Sequence, residues 1–245
     1  MMKILIIGGS GYIGENIIYD LMVDNEITIG SRGLTVNTLE FNNNVKKVFF
    51  DITLPIDNHI FQEKEVLIYL TSTTNPYTSN LDYIYDIKTN LISSIEIFKA
   101  AAINGIKKII FASTSGAIYK VDNEKQCNEK SFLNPNSSYG IIKLAIENYL
   151  QIISKEFGIN YIILRISNPY GSTQNFRKGV GVISAIIDSA INKKEIQIWG
   201  DGLQIRDFIH ISDLVNAFRK SIYSERKNNI YNIGKGESFS INEII

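Results

Sequence analysis

One cysteine, Cys127, two histidines, His59 and His210, and a lack of long apolar runs set the first limits on this 245-residue chain. A single cysteine rules out an internal disulfide framework and fits a reducing cytoplasm. Two histidines exclude a multi-histidine metal site. No stretch approaches the ~18 apolar residues of a membrane span. Ile4-Leu5-Ile6-Ile7 is too short to be a signal-peptide core before the glycines begin. Net charge is missing as well: 25 basic residues balance 25 acidic ones. The electrostatic footprint of a nucleic-acid binder is therefore not there, and any anionic ligand must be held locally. No repeat recurs at periods of ~20 to 50 residues.

What is present is ordinary globular composition, with 44% hydrophobic and 20% charged residues, in a chain long enough to bury a core without a staple. Strand-like apolar runs at Lys3 to Ile7, Ile27 to Ile29, Val48 to Phe50, Val66 to Leu70, Lys108 to Ala112 and Tyr161 to Ile166 alternate with helix-like stretches. The helical period predicts helices over 11 to 23, about 80 to 104, and 138 to 156. Such alternation predicts an α/β fold, a Rossmann-type doubly wound parallel sheet. After residue 167 glycines punctuate shorter elements, so the chain divides into a dinucleotide-binding domain over 1–167 and a smaller, interleaved substrate lobe over 168–245. Ser240-Ile241-Asn242-Glu243 has capping-box spacing. The chain stops just after it, which reads as a shortened lobe.

Gly9-Ser10-Gly11-Tyr12-Ile13-Gly14 follows the first strand and opens the first helix, the context that the dinucleotide fingerprint requires. Glycines there allow a tight turn and close approach of backbone to pyrophosphate, while the helix N-terminus supplies amide donors. A plain glycine-rich turn is the bland alternative. The acid that usually meets the adenosine ribose, about 20 residues on, is replaced by Gly30-Ser31-Arg32. Arg32 either pairs with a 2′-phosphate or is a solvated loop charge, so NAD and NADP both stay open.

Ser113-Thr114-Ser115 lies just beyond a strand, at the carboxyl edge where open parallel sheets bind ligands. Tyr139 and Lys143 are one helical turn apart and share a face. A free phenol titrates near 10, and a neighbouring ammonium group favours the phenolate, so Lys143 is expected to make Tyr139 a usable base. Alone, Tyr-x-x-x-Lys is a pattern that surface helices produce by chance. With the glycine loop upstream it becomes a catalytic constellation of Ser115, Tyr139 and Lys143.

Together these residues resemble the extended short-chain dehydrogenase/reductase superfamily, and within it the NAD(P)-dependent epimerase/dehydratase family of the UDP-glucose 4-epimerase type. The similarity extends to Phe50-Asp51-Ile52, Asn90, Arg165-Ile166-Ser167-Asn168-Pro169-Tyr170-Gly171, Trp199-Gly200-Asp201-Gly202, Arg206-Asp207-Phe208-Ile209-His210 and Asp213-Leu214. The resemblance implies that Tyr139 exchanges a proton with a sugar hydroxyl, Ser115 hydrogen-bonds the same oxygen, and Lys143 binds the nicotinamide ribose. It implies dinucleotide contacts at Gly8, Gly11, Tyr12, Ile13, Gly14, Ser31, Arg32, Asp51, Ile52, Leu70, Thr71, Thr73, Asn90, Ser113, Tyr139 and Lys143. Asn168 and Arg206 are implied to hold a diphosphate, and Gln197 and Trp199 to line the base pocket. Arg206 as an ion-pair partner of Asp207 or Asp213, and Trp199 as a core aromatic, are the competing roles. His210 reads as structural.

Two departures shape the functional reading. Tyr69-Leu70-Thr71-Ser72-Thr73-Thr74 stands where the family usually shows His-x-Ala-Ala. The strand-end motif Ser113 to Tyr119 carries no acid like that of the Thr-Asp-Glu triplet of dehydratases. A nucleotide-sugar epimerase acting at C4 of a UDP-hexose, through a transient 4-keto intermediate, therefore ranks first. An NADPH-dependent 4-ketoreductase is the alternative, and a non-catalytic NAD(P)-sensing protein the alternative of another class. The epimerase resemblance inclines the cofactor to NAD while Arg32 keeps NADP open, and it implies a homodimer.

Overall fold

The computed structural model describes residues 1–33, 44–119, 126–171, 181–198 and 200–245. Its main sheet is built from β1 (Lys3–Ile7), β2 (Glu26–Ser31), β3 (Val45–Phe49), β4 (Val66–Tyr69), β5 (Lys108–Thr114), β6 (Asn160–Ile166) and β9 (Asn229–Ile233), all parallel in the order β3-β2-β1-β4-β5-β6-β9. A three-stranded sheet, β10-β8-β7, is formed by β7 (Asn168–Tyr170), β8 (Ile205–His210) and β10 (Ser238–Ser240).

Central strands buried on both faces read as unbroken apolar runs, and β1 shows why. Leu5 and Ile7 enter the core on one face of the sheet, while Ile4 and Ile6 enter the core on the other. The first core is closed by α3 (Ser93–Ile103) through Ile97, Phe98 and Ala101 and by α4 (Ser138–Phe157) through Ile142, Ile146, Leu150 and Ile153. The second is closed by α1 (Tyr12–Leu21) through Ile17, Ile18 and Leu21 and by α6 (Ile211–Tyr223) through Leu214, Val215, Phe218 and Ile222. Helices on both faces of a parallel sheet make the doubly wound architecture expected from the sequence. Arg219 on α6 reaches Asp20 (3.0 Å) and Asp24 (2.6 Å) beside α1, and Lys108 Nζ donates to the carbonyls of Ser221, Ile222 and Ser224 at the end of α6.

Three expectations change in detail. The third strand runs Val45–Phe49 rather than 48 to 50, because Lys46 and Lys47 lie on a sheet edge that tolerates them. The helix expected over about 80 to 104 is broken into a 3-10 turn (Thr78–Asn80), α2 (Tyr83–Asp86), a π-helical turn (Ile87–Ile92) and α3. Strand β9, unmarked by any apolar run, returns from beyond β8 to pair with β6, Ile162 with Asn229 through Ile166 with Ile233.

Candidate active site

Strand order runs outward in both directions from β1 and β4, so the crevice beyond their carboxyl ends is the topological switch point where open α/β sheets bind ligands. The glycine turn fills the β1 side. Gly8 takes φ +87°, favourable only for glycine, and its N–H donates to Gly30 O (3.0 Å), tying the turn to the end of β2. A side chain on Gly14 would lie 2.6 Å from Gly9 backbone, so α1 packs directly on the turn. A Cβ on Gly11, the N-cap of α1, would meet only Gly8 O at 3.5 Å. That open side and the adjoining free amides of α1 are what a pyrophosphate needs. On the β4 side Leu70 N–H donates to Ile7 O (3.0 Å), and the Thr71 hydroxyl sits against Gly8. The oxygens of Tyr12, Thr71 and Ser167 are buried without a hydrogen-bond partner among the described residues. Burial pushes the Tyr12 phenol up to about 12. These residues fit a dinucleotide.

Beside this crevice β5 ends at Thr114, and the Ser115 N–H continues the pairing by donating to Ile166 O (2.9 Å). Helix α4 brings Tyr139 and Lys143 to the same edge. Its first turn is capped from two directions: the Ser137 side chain accepts from Gly140 N–H (3.2 Å), Asn80 Oδ1 from Ser138 N–H (2.9 Å), and Ser79 Oγ from Tyr139 N–H (3.0 Å). Lys143 Nζ donates to Ala112 O (3.0 Å) and lies 4.8 Å from the Phe111 ring centre and 5.7 Å from that of Tyr139. The two side chains do converge at the mouth of the sheet.

Their electrostatics differ from the expectation. Tyr139 is not a ready phenolate: its phenol is pushed up to about 12, first by burial and then by the Asp86 carboxylate. Lys143 bears the larger burden. Burial draws its ammonium down to about 8, with Glu147 pulling in the opposite direction. Spacing put the ammonium and the phenol on one helix face but did not reveal how dry the surroundings of Lys143 are. In this geometry the phenol is a proton donor, and a positive charge brought alongside it is what would favour the phenolate.

Two buried networks surround the pair, and sequence reading missed both of their acids. Asp86, 1% exposed, accepts from Ser138 Oγ (2.6 Å), Thr74 Oγ1 (2.6 Å) and Asn90 Nδ2 (2.8 Å). Asn90 accepts from Thr73 N–H (2.8 Å) and donates to Thr73 Oγ1 (2.7 Å), so it pins the Thr71-to-Thr74 loop. The second acid, Glu147, has no exposed surface. It receives Arg165 through Nη2 (2.7 Å) and Nε (3.1 Å), and the Ser113 hydroxyl. Ser113 thus turns its hydroxyl into this cluster. Tyr139, Lys143 and Glu147 recur every fourth residue, a signal that was available in the sequence.

Beside the end of β2, Asp51 Oδ1 accepts from Thr53 N–H (2.9 Å) and Thr53 Oγ1 (2.8 Å), Ile52 is buried, and Arg32 is exposed. In the smaller sheet, Asn168 Nδ2 donates to Asp207 O (2.8 Å) beside the β7–β8 pairing. Arg206 is exposed and forms no ion pair with Asp207 or Asp213 among the described residues; its Nη1 donates to its neighbour Ile205 O (2.8 Å). Gln197 is exposed, and Trp199 lies outside the described residues. His210 caps α6, accepting from Ser212 N–H (3.3 Å). No group of three or more His, Cys, Asp or Glu among the described residues is arranged to hold a metal, and no described helix is long and apolar enough to cross a membrane.

The chain as a whole has counterparts among known proteins. The model of the NAD dependent epimerase/dehydratase family matches residues 4–234. The chain belongs to this family. It is 34% identical over 252 residues to a Methanocaldococcus jannaschii protein provisionally named a UDP-glucose 4-epimerase, covering 98% of this chain and 79% of the relative. It is also 34% identical over 252 residues to an Escherichia coli dTDP-4-dehydro-6-deoxyglucose reductase, covering 99% and 79%. In structure it resembles a Bacillus cereus UDP-glucuronic acid 4-epimerase solved with UDP-glucuronic acid and NAD, with a TM-score of 0.89, 25% identity, and coverage of 98% and 80%. Membership makes the protein an NAD(P)-dependent enzyme of sugar-nucleotide chemistry.

Proposed function

We propose that the protein is a nucleotide-sugar 4-epimerase acting on a UDP-hexose. The observation that carries this reading is Lys143 Nζ lodged between Ala112 O and the Tyr139 ring at the carboxyl edge of β5, beside the glycine turn. A bound nicotinamide dinucleotide supplies the hydride acceptor and donor. Gly8, Gly11 and the α1 amides hold its pyrophosphate, Asp51 and Ile52 meet the adenine, and Leu70, Thr71 and Thr73 border the nicotinamide with Asn90 behind them. With a positive charge brought alongside to favour its phenolate, Tyr139 takes the proton from the sugar C4 hydroxyl and later returns it to the C4 oxygen. Ser115 hydrogen-bonds that oxygen, Lys143 reaches the nicotinamide ribose, and Asn168 and Arg206 steady the diphosphate. The transient 4-keto sugar turns over between the two transfers, so no reductant is consumed. No acid stands at the strand end to eliminate water, which favours epimerisation over dehydration.

Incubating the protein with UDP-galactose or UDP-glucose without reductant should yield the C4 epimer. Tyr139→Phe should lower kcat by about 10²- to 10⁴-fold while leaving dinucleotide affinity in place; a variant of near-normal rate would overturn the assignment. The reductase relative and Arg32 favour one second reading, a 4-ketoreductase. Stoichiometric NADPH oxidation with a 4-keto sugar nucleotide, and no epimer formed, would decide for it. We propose further that the protein acts as a homodimer.

A further inference from the structure

We infer that Asp86 is a positioning residue for the proton transfer at Tyr139: its buried carboxylate anchors the turn of α4 that presents the phenol and sets a negative charge beside it, so that the phenol turns base only when a cation is brought alongside. The inference rests on Tyr139 as the group that exchanges the C4 proton, and not on which sugar nucleotide is bound.

Asp86 ends α2, and its Oδ2 accepts from the hydroxyl of Ser138 (2.6 Å), the residue before Tyr139. Its Oδ1 accepts from Thr74 Oγ1 (2.6 Å) and Asn90 Nδ2 (2.8 Å). The turn of α4 held in this way has no room to shift. Ser79 Oγ and Asn80 Oδ1 accept from the Tyr139 and Ser138 amides, and a Cβ at Gly140 would collide with Ala117 O. The place of the carboxylate relative to the phenol is therefore set by several elements at once, not by one pliable side chain.

Asp86 is also unpaired. Its three donors are neutral, and it forms no ion pair among the described residues. Glu147, the other buried acid near the pair, is neutralised by Arg165 at 2.7 Å. Tying the loop to α4 asks only for acceptors, whereas a buried charge without a counter-ion is costly. Its field falls on what is packed next to it. Around Tyr139, α2 brings Asp86, α4 brings Lys143 and, one turn further on, Glu147, and β6 brings Arg165, already taken by Glu147. The 3-10 turn and the Thr71-to-Thr74 loop offer only neutral groups. Burial draws Lys143 down to about 8. Above that value Asp86 is the charge that faces the phenol, which burial first and this acid second push up to about 12.

Replacing Tyr139 with 3-fluorotyrosine in the full chain tests this without turnover, because the ring fluorine makes the phenol more acidic and reports its ionisation by fluorine NMR. Asp86→Asn keeps an oxygen for Ser138 Oγ and should lower the midpoint of that titration by about one pH unit. Ser138→Ala removes a hydrogen bond but keeps the charge, and should leave the midpoint nearly in place. In turnover of UDP-galactose by the chain with its native Tyr139, the acid limb of kcat/KM should fall by the same ~1 unit in Asp86→Asn. The rate on that limb, relative to the plateau, then rises about tenfold. An unmoved midpoint in Asp86→Asn would overturn the inference. So would a Ser138→Ala variant that moves it equally far, since the hydrogen bond and not the charge would then be at work. A midpoint that moves while the limb stays would overturn the proton-transfer role of Tyr139, and the inference with it. A moved midpoint in a protein that does not turn over UDP-galactose would support the inference and overturn the choice of sugar instead.

Discussion

Lys143 meets two opposed demands, because its charge is needed near the phenol and its position is dry. Burial lowers its ammonium from 10.5 to about 8, and the sign of the consequence follows. Between those values the unfolded chain holds a proton that the folded chain has released, so this group's contribution to stability rises with pH across that window. The burial penalty is fully present below about 8 and is relieved towards 10.5. Tyr139 acts oppositely: raised from 10.0 to about 12, it favours the folded state less as pH climbs between them. Replacing Lys143 with Met should remove the first effect. The urea midpoints of the two proteins, compared from about pH 7.5 to 10.5, should show the wild type gaining about 3 kcal/mol on the variant. A constant difference across that range would show that burial does not strain the lysine.

Among the elements, the junction of α2, the π-helical turn and α4 matters most for the site. Asp86 there gathers donors from α4 (Ser138), the strand-end loop (Thr74) and the π-helical turn (Asn90). Asp86→Ala takes this acceptor from the Ser138 and Thr74 hydroxyls, while Asn90 keeps Thr73 Oγ1, and should cost about 2 to 4 kcal/mol. It should also loosen the loop, seen as faster hydrogen exchange at the Thr73 amide, while Asp86→Asn should recover much of the stability. Little of this junction was legible in the sequence. The apolar period gave a helix over about 80 to 104, but periodicity does not register polar side chains that reward a wider turn. By contrast β1, β4, β5 and β6 stood out, because strands buried on both faces have no polar positions to interrupt them. Tyr139 and Lys143 were legible because one helical turn fixes their relation whatever the tertiary surroundings. Their titration was not, since it depends first on burial and then on Asp86 and Glu147, all of which arise only through folding. Strand β9 was hidden for a related reason: Asn229-Ile230-Tyr231-Asn232-Ile233 is half-buried at the sheet edge, and β6, its partner, lies far upstream.

For the molecule as a whole, the outer face of α4, α2 and the π-helical turn carry exposed apolar side chains. Ile141, Tyr149 and Ile152 form a stripe on α4, and Ile84 and Ile92 are exposed on the neighbouring turns. Exposed apolar side chains on neighbouring elements mark an interaction site, and a second copy of the chain offering the same stripe is the occupant proposed. Light scattering should give a dimer mass, and joint Ile141→Glu and Ile152→Glu substitution should give a folded monomer. A wild-type monomer at micromolar concentration would overturn the dimer. The late return of β9 bears on how such a molecule is made. Until Ile233 has left the ribosome, the nascent sheet ends on bare β6, whose Tyr161-to-Ile166 run has no neighbour on one side. An unpaired strand of that composition is a template for another chain, so the danger of aggregation during synthesis is concentrated between the emergence of residues 166 and 233.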